Sequence, residues 1–399
     1  MKVGLPAALS LAMVAAVMLQ VVFGALGPFL VDDLQLSRSQ LGRLTAALYV
    51  SGAVLSLPAG RLVDRIGGRT PLLWLYGATA AGVTVVALAP SYTWILVGAL
   101  IGGIAVAMAN PATNRLIQQH VVPGRQGLVT GVKQSGIQVG VFAGSAVLPA
   151  VATVAGWRVA TALPLLVLAG GLAMVHVAVP RTVAPAGGSS DTAPSTPVTG
   201  SGLPHGTRWL VVYATAMGVG IASIGAYLPL FGVEHLGLAE VTAGLLTAVV
   251  GGVAMVVRVA LGHHADRRPA PPQVMLIALA VTAMAAAVAI GLASPNAVPL
   301  VWLGAVLAGA GAASWNAVAM LAIIRGTDHT TAGRVSGIVL LGFYGGFVVG
   351  PTLFGALVDA ADSYTPGWGL VLVVFCLALG ASLSALRSLP AAASRTRRG

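Results

Sequence analysis

Twelve long apolar runs, separated by short polar breaks, leave a chain of this kind very few folds. They fall near residues 5–31, 41–60, 71–90, 94–118, 128–154 and 158–179, then near 209–231, 241–262, 273–293, 298–324, 335–358 and 367–388. A run of about 18 apolar residues or more can cross the hydrocarbon core as a helix. In hydrocarbon a backbone must satisfy its own N–H and C=O groups, so transmembrane α-helices are expected, six and six. Composition agrees: 57% of the 399 residues are hydrophobic and 8% charged, against about 25% charged in soluble domains. The first run follows Lys2 and is longer than a signal-peptide core, so it reads as a retained first helix.

The longest polar stretch, 181–207, is rich in Gly, Ser, Thr and Pro and too short to build a core of its own. The expected organisation is an N-terminal bundle over 1–180, a cytoplasmic linker over 181–207, and a C-terminal bundle over 208–399 ending in a short basic tail.

The formal net charge of +11 does not point to nucleic acid, because the cations follow topology instead of forming one patch. Arg61, Arg65, Arg69, Arg125, Arg181, Arg208, Arg267, Arg268, Arg325 and Arg334 share one side with Lys2 and the tail. The other side holds Arg38, Arg43 and Arg158 among Asp32, Asp33, Glu234, Glu240, Asp359 and Asp362. The positive-inside rule then puts both termini in the cytoplasm of a multi-pass protein of the cell membrane. Cys376 is the sole cysteine, which excludes an intrachain disulfide and a cysteine metal site. His263 and His264 lie in a charged loop and are not read as metal ligands. No metal or cofactor is expected, and no nucleophile–base pair or phosphate loop points to an enzyme.

The chain is also duplicated. The loop Gly60-Arg61-Leu62-Val63-Asp64-Arg65-Ile66-Gly67-Gly68-Arg69 has a degenerate copy, Gly262-His263-His264-Ala265-Asp266-Arg267-Arg268, which lacks the final Gly and Arg. The pattern resembles the signature loop of the major facilitator superfamily of transporters. That resemblance implies two six-helix bundles related by a pseudo-twofold axis along the membrane normal, rocking about a central site as a monomer. It also implies a cytoplasmic latch made by Gly60, Asp64, Arg65 and Arg69 with Gly262, Asp266 and Arg267. Sliding the halves by 206 residues matches Asn110 to Asn316 and Gly136, Gly140 and Gly144 to Gly342, Gly346 and Gly350. These glycines, four apart, form a stripe suited to close helix packing. In the family's proton-driven exporters a Pro follows a Gly on the fifth helix; here Val141 follows Gly140.

Polar residues present in one half alone are the better candidates for solute contact. Nineteen of the 21 cations are Arg, so Lys133 stands out, on the order of 10 Å inside the fifth run at 1.5 Å per residue. A cation that deep costs roughly 3 kcal/mol unless solvated or paired, and no acid on its helix pairs with it. Gln134 and Gln138 accompany it. On the fourth run Asn110 and Asn114 share a face, followed by Arg115. Gln20, Ser223, Tyr227 and Asn316 lie on runs that the resemblance places around the cavity. All ten acids sit at loops or helix ends. Arg258-x-x-x-Gly262-x-x-x-Asp266 resembles the eighth helix of the monocarboxylate and oxalate–formate branch, where the Arg is implicated in holding a carboxylate. The alternative for Arg258 is snorkelling or capping carbonyls.

The candidate substrate-binding set is therefore Lys133, Arg258, Asn110, Asn114, Gln134, Gln138, Tyr227 and Asn316. The expected function is secondary transport of a small solute, an organic anion for choice, with a coupling proton or an exchanged anion. Efflux of hydrophobic drugs and a transporter-like sensor are the alternatives; partners are the solute and the bilayer.

Overall fold

The computed structural model describes residues 4–122, 125–180, 207–267, 271–326 and 332–387. Within those ranges the side chains at 57, 64, 127, 262, 264–267, 321, 324–326 and 332–334 are outside the description. The linker over 181–206 and the basic tail also lie outside the described residues. Every regular element described is an α-helix. The first half holds α1 (Leu5–Ala25), α2 (Gly27–Leu34), α3 (Arg38–Ile66), α4 (Arg69–Ala87), α5 (Tyr92–His120), α6 (Gln126–Ala155), α7 (Trp157–Ala162) and α8 (Pro164–Ala178). The second holds α9 (Thr207–Glu234), α10 (Glu240–Arg267), α11 (Pro272–Gly291), α12 (Pro299–Ala310), α13 (Trp315–Gly326), α14 (Ala332–Ala361) and α15 (Thr365–Arg387).

Three of the twelve expected spans are thus broken. The first and sixth break at Leu26 and Leu163, each just before a Pro in the opening turn of the next helix. Proline is tolerated there because that N–H has no intrahelical partner. The tenth breaks over Gly311–Ser314 without any proline. Pro58, Pro111, Pro149, Pro229 and Pro351 sit inside unbroken helices.

Eleven helical segments are long and apolar enough to cross a membrane by length and composition. The twelfth expected span is α3. It has 29 residues, about 43 Å at 1.5 Å per residue, ample for a core about 30 Å thick. Its start is fixed by a capping box in which the Ser37 hydroxyl accepts from the Gln40 N–H and the Gln40 side chain accepts from the Ser37 N–H.

The glycine stripes do the packing expected of them. A Cβ on Gly136 would strike the Ser10 carbonyl, and Gly140 and Gly144 face Val14, Val17 and Val21, all on α1. In the second half Gly342, Gly346 and Gly350 press in the same way on Val211, Thr215 and Val219 of α9. One stripe, one partner helix and one spacing in each half express the pseudo-twofold in physical contacts. Across the halves α3 packs along α14, α6 along α10 and α1 along α9.

Candidate functional site

Lys133 is fully buried. Its ammonium donates to three oxygens of α5: Asn114 Oδ1 at 2.6 Å, Thr113 Oγ1 at 3.0 Å and Asn110 Oδ1 at 3.3 Å. Residues 110, 113 and 114 share a helical face by their spacing, so α5 offers α6 a ready cage of neutral acceptors. Gln134 Nε2 donates at 3.4 Å to the same Asn110 oxygen. The ammonium itself has no exposed surface. Asn114 is exposed, and Asn110 and Gln134 are half-buried, so these amides form the accessible surface in front of the ammonium. Gln138, one turn further along α6, is buried.

Asn110 also meets the other half, because the Tyr344 hydroxyl of α14 interacts with its side chain. Tyr344 lies against Tyr49 of α3, ring centroids 5.7 Å apart, and Tyr49 against Phe347 at 4.4 Å. The Tyr49 hydroxyl donates to Gln20 Oε1 at 2.5 Å. A polar and aromatic layer therefore spans α1, α3, α5, α6 and α14 at mid-depth. Thr113, Tyr49 and Tyr344 were not among the sequence candidates. Thr113 could have been found from its place three residues after Asn110.

Arg258 carries the second interior cation. Gly244 of α10 packs on Ser145 and Pro149 of α6, and Gly251 on Val141 and Phe142. The two helices run antiparallel, so seven residues beyond Gly251 Arg258 stands level with about residue 134 of α6. Its guanidinium donates through Nη2 at 2.7 Å and Nε at 3.2 Å to one acceptor, the Ala313 carbonyl in the α12–α13 break. Among the described residues the ion pairs are Arg38–Glu234 and Arg158–Asp33; neither Lys133 nor Arg258 has one. Asn316 is half-buried on the first turn of α13.

Tyr227 is placed elsewhere. It is fully buried, and its hydroxyl lies 2.6 Å from the Arg38 carbonyl and 2.8 Å from the Pro351 carbonyl. It stacks on Phe354 and belongs to a belt closing the halves at the end remote from the signature loops. There Asp359 accepts from the first N–H groups of α3, Arg38 at 2.9 Å and Ser39 at 2.8 Å. Glu234 holds the Arg38 guanidinium at 3.2 Å and the Tyr364 hydroxyl at 2.6 Å. Burial first, then the Glu234 carboxylate, push the Tyr364 hydroxyl well above the ordinary phenol range, so it remains a donor. Gly42 and Gly355 allow this approach, since a Cβ on either would strike Tyr227 and a backbone carbonyl of the opposite half. Toward the loops the picture changes: nothing lies within 4 Å of a Cβ built on Gly60, Gly131 or Gly337.

Of the expected latch, Gly60 and Arg69 are half-buried and Arg65 exposed. Asp64, Gly262, Asp266 and Arg267 have side chains or surroundings outside the described residues.

Two helical halves packed on each other and closed at one end have the architecture of a membrane transporter. A model of the Major Facilitator Superfamily matches residues 8–294, and the chain belongs to that family. The nitrite extrusion protein of Bacillus subtilis (strain 168) is 26% identical over 258 residues, covering 65% of this chain and 64% of that protein's length. The "Probable nitrate/nitrite transporter NarK2" of Mycobacterium tuberculosis is 29% identical, covering 92% of this chain and 91% of its own. Among solved structures, a bacterial homolog of the human lysosomal transporter Spinster, inward-facing and occupied, superimposes with a TM-score of 0.72 at 16% identity, covering 96% of each chain. The nucleoside transporter NupG gives a TM-score of 0.75 at 10% identity, covering 96% of this chain and all of its own.

Proposed function

We propose that this chain moves a small anion across the cell membrane by alternating access, with the anion bound between the halves at Lys133 and Arg258. The observation that carries the reading is the state of those two cations. Among the described residues each is held by neutral oxygens alone, so the interior keeps a positive potential that a solute anion can neutralise. A cation inside a membrane needs such compensation. Asn110, Asn114 and Gln134 supply amides that can turn toward the solute, with Gln138 and Asn316 at the edge of the site. Relatives named for nitrate and nitrite bring inorganic monoanions into the class beside small carboxylates.

The charged loops belong to the cytoplasmic side on this reading, so the closed belt faces outward and the described conformation is open to the cytoplasm. Gly60, Asp64, Arg65 and Arg69 with Gly262, Asp266 and Arg267 form the latch of the opposite state, when the outer belt has parted.

Reconstituted vesicles test the reading. Nitrate, nitrite and formate flux should appear with the wild-type chain, fall at least about tenfold in Lys133→Ala, corresponding to about 1.4 kcal/mol, and return in part in Lys133→Arg. Equal flux in wild type and a well-folded Lys133→Ala would overturn it.

A further inference from the structure

The break between α12 and α13 is unlike the other two, because no proline makes it. The chain turns through Gly311, Ala312, Ala313 and Ser314, with the Ala313 N–H reaching back five residues to the Ala308 carbonyl and the Ser314 hydroxyl donating to the Gly309 carbonyl. Gly309 and Gly311 are pinned, since a Cβ on either would strike backbone of α10 or α11. The residues after them carry the smallest side chains that still continue a helix. A helix so interrupted exposes carbonyls that need partners, and Arg258 supplies one with two of its N–H groups.

Those two donors, Nε and Nη2, form one edge of the guanidinium, the edge that matches two oxygens of a planar anion. In this structure that edge converges on a single carbonyl oxygen. A carbonyl is half of what the fork can hold, and it is neutral. We propose that Arg258 exchanges partners: the Ala313 carbonyl fills the fork when the site is empty, and a planar two-oxygen anion displaces it when the site is loaded. This rests on the anion reading above and narrows it. Displacement favours nitrate, nitrite and carboxylates over a spherical halide, which offers no pair of oxygens.

The exchange also frees the Ala312–Ser314 turn. Directly after it Trp315 is buried, its ring 5.8 Å from Tyr213 and 5.3 Å from Phe343. Phe343 neighbours Tyr344 at 6.0 Å, and Tyr344 meets Asn110, which holds Lys133. The released turn is therefore linked to the cage around the other cation through Trp315, Phe343 and Tyr344. Two groups on opposite halves respond to one solute through a segment with two alternative partners.

Hydrogen exchange on the purified full chain tests this, with thermal shift as an independent measure of binding. Without ligand, the amides of 312–316 should exchange slowly in the wild type and in Arg258→Lys, which still holds a carbonyl. They should exchange several-fold faster in Arg258→Gln. Nitrate and formate should speed that segment in the wild type only, and chloride should not. Slow exchange in ligand-free Arg258→Gln, or nitrate binding to the wild type without faster exchange at 312–316, overturns the partner exchange and leaves the anion site standing. Faster exchange with chloride overturns the selectivity for two-oxygen anions. Thermal shifts absent with nitrate, nitrite and formate alike overturn both readings.

Discussion

At the scale of single residues, the informative fact is that Lys133 is solvated by dipoles and, among the described residues, paired with no opposite charge. Hydrogen bonds to a charged donor contribute about 1.5–3 kcal/mol each, so Asn110, Thr113 and Asn114 together can offset the cost of burying an ammonium. None of them cancels its charge. Asn114→Asp keeps the oxygen that lies 2.6 Å from the ammonium, replaces the amide nitrogen beside it with a second oxygen, and so gives Lys133 a counter-ion. It should lower nitrate affinity by at least about tenfold, some 1.4 kcal/mol, while leaving the melting temperature equal or higher. An unchanged nitrate dissociation constant in Asn114→Asp would show that the solute does not sense Lys133. The partial legibility of this cage has a simple cause. Asn110 and Asn114 could be paired in advance because four residues on a helix return to one face. That they face Lys133 on another helix depends on how α5 and α6 approach, which no spacing along one helix records.

At the scale of elements, adjacent glycines on α14 divide the roles of the residue type. Gly346 sits against the Thr215 carbonyl and the Val219 N–H, whereas nothing lies within 4 Å of a Cβ on Gly345. Gly346→Ala should cost about 1–3 kcal/mol by overpacking and lower the melting temperature in detergent. Gly345→Ala should be neutral or stabilise by up to about 1 kcal/mol through helix propensity. Equal melting temperatures would mean that the α9–α14 contact is not close enough to need glycine. The stripe itself was readable, because a spacing of four repeated 206 residues later has few other physical causes. The helix breaks were not. Five prolines pass through unbroken helices while Gly311–Ser314 breaks one without proline. Whether a freed carbonyl finds a partner depends on neighbours such as Arg258, and those are known only once the bundle is assembled.

At the scale of the whole molecule, the two halves are joined at one end by groups that must separate if the solute is to leave that way. The charge pattern of the sequence sets Arg38, Arg43 and Arg158 on the side that holds the acids. Two of them, Arg38 and Arg158, pair with acids on that same side, Glu234 and Asp33. The Arg38–Glu234 pair is partly exposed and contributes no more than about 1 kcal/mol. Asp359 weighs more, because its carboxylate takes two backbone N–H bonds at the start of α3, where a helix N-terminus also favours negative charge. Asp359→Asn alone should therefore loosen the belt more than Glu234→Gln alone, and the double variant should move the population furthest toward the state open at that end. Gly225 provides the reporter, since it lies on α9 behind the belt and a Cβ there meets only the end of Gln20 at 3.9 Å. With the exposed Cys376 replaced by Ser, Gly225→Cys should resist a membrane-impermeant thiol reagent added from the belt side. Adding Asp359→Asn and Glu234→Gln should raise the labelling rate several-fold, with Asp359→Asn giving most of the gain. If labelling stays slow in the double variant while the protein remains folded, the belt is packing held by Tyr227 and its glycines, and the carboxylates do not gate it.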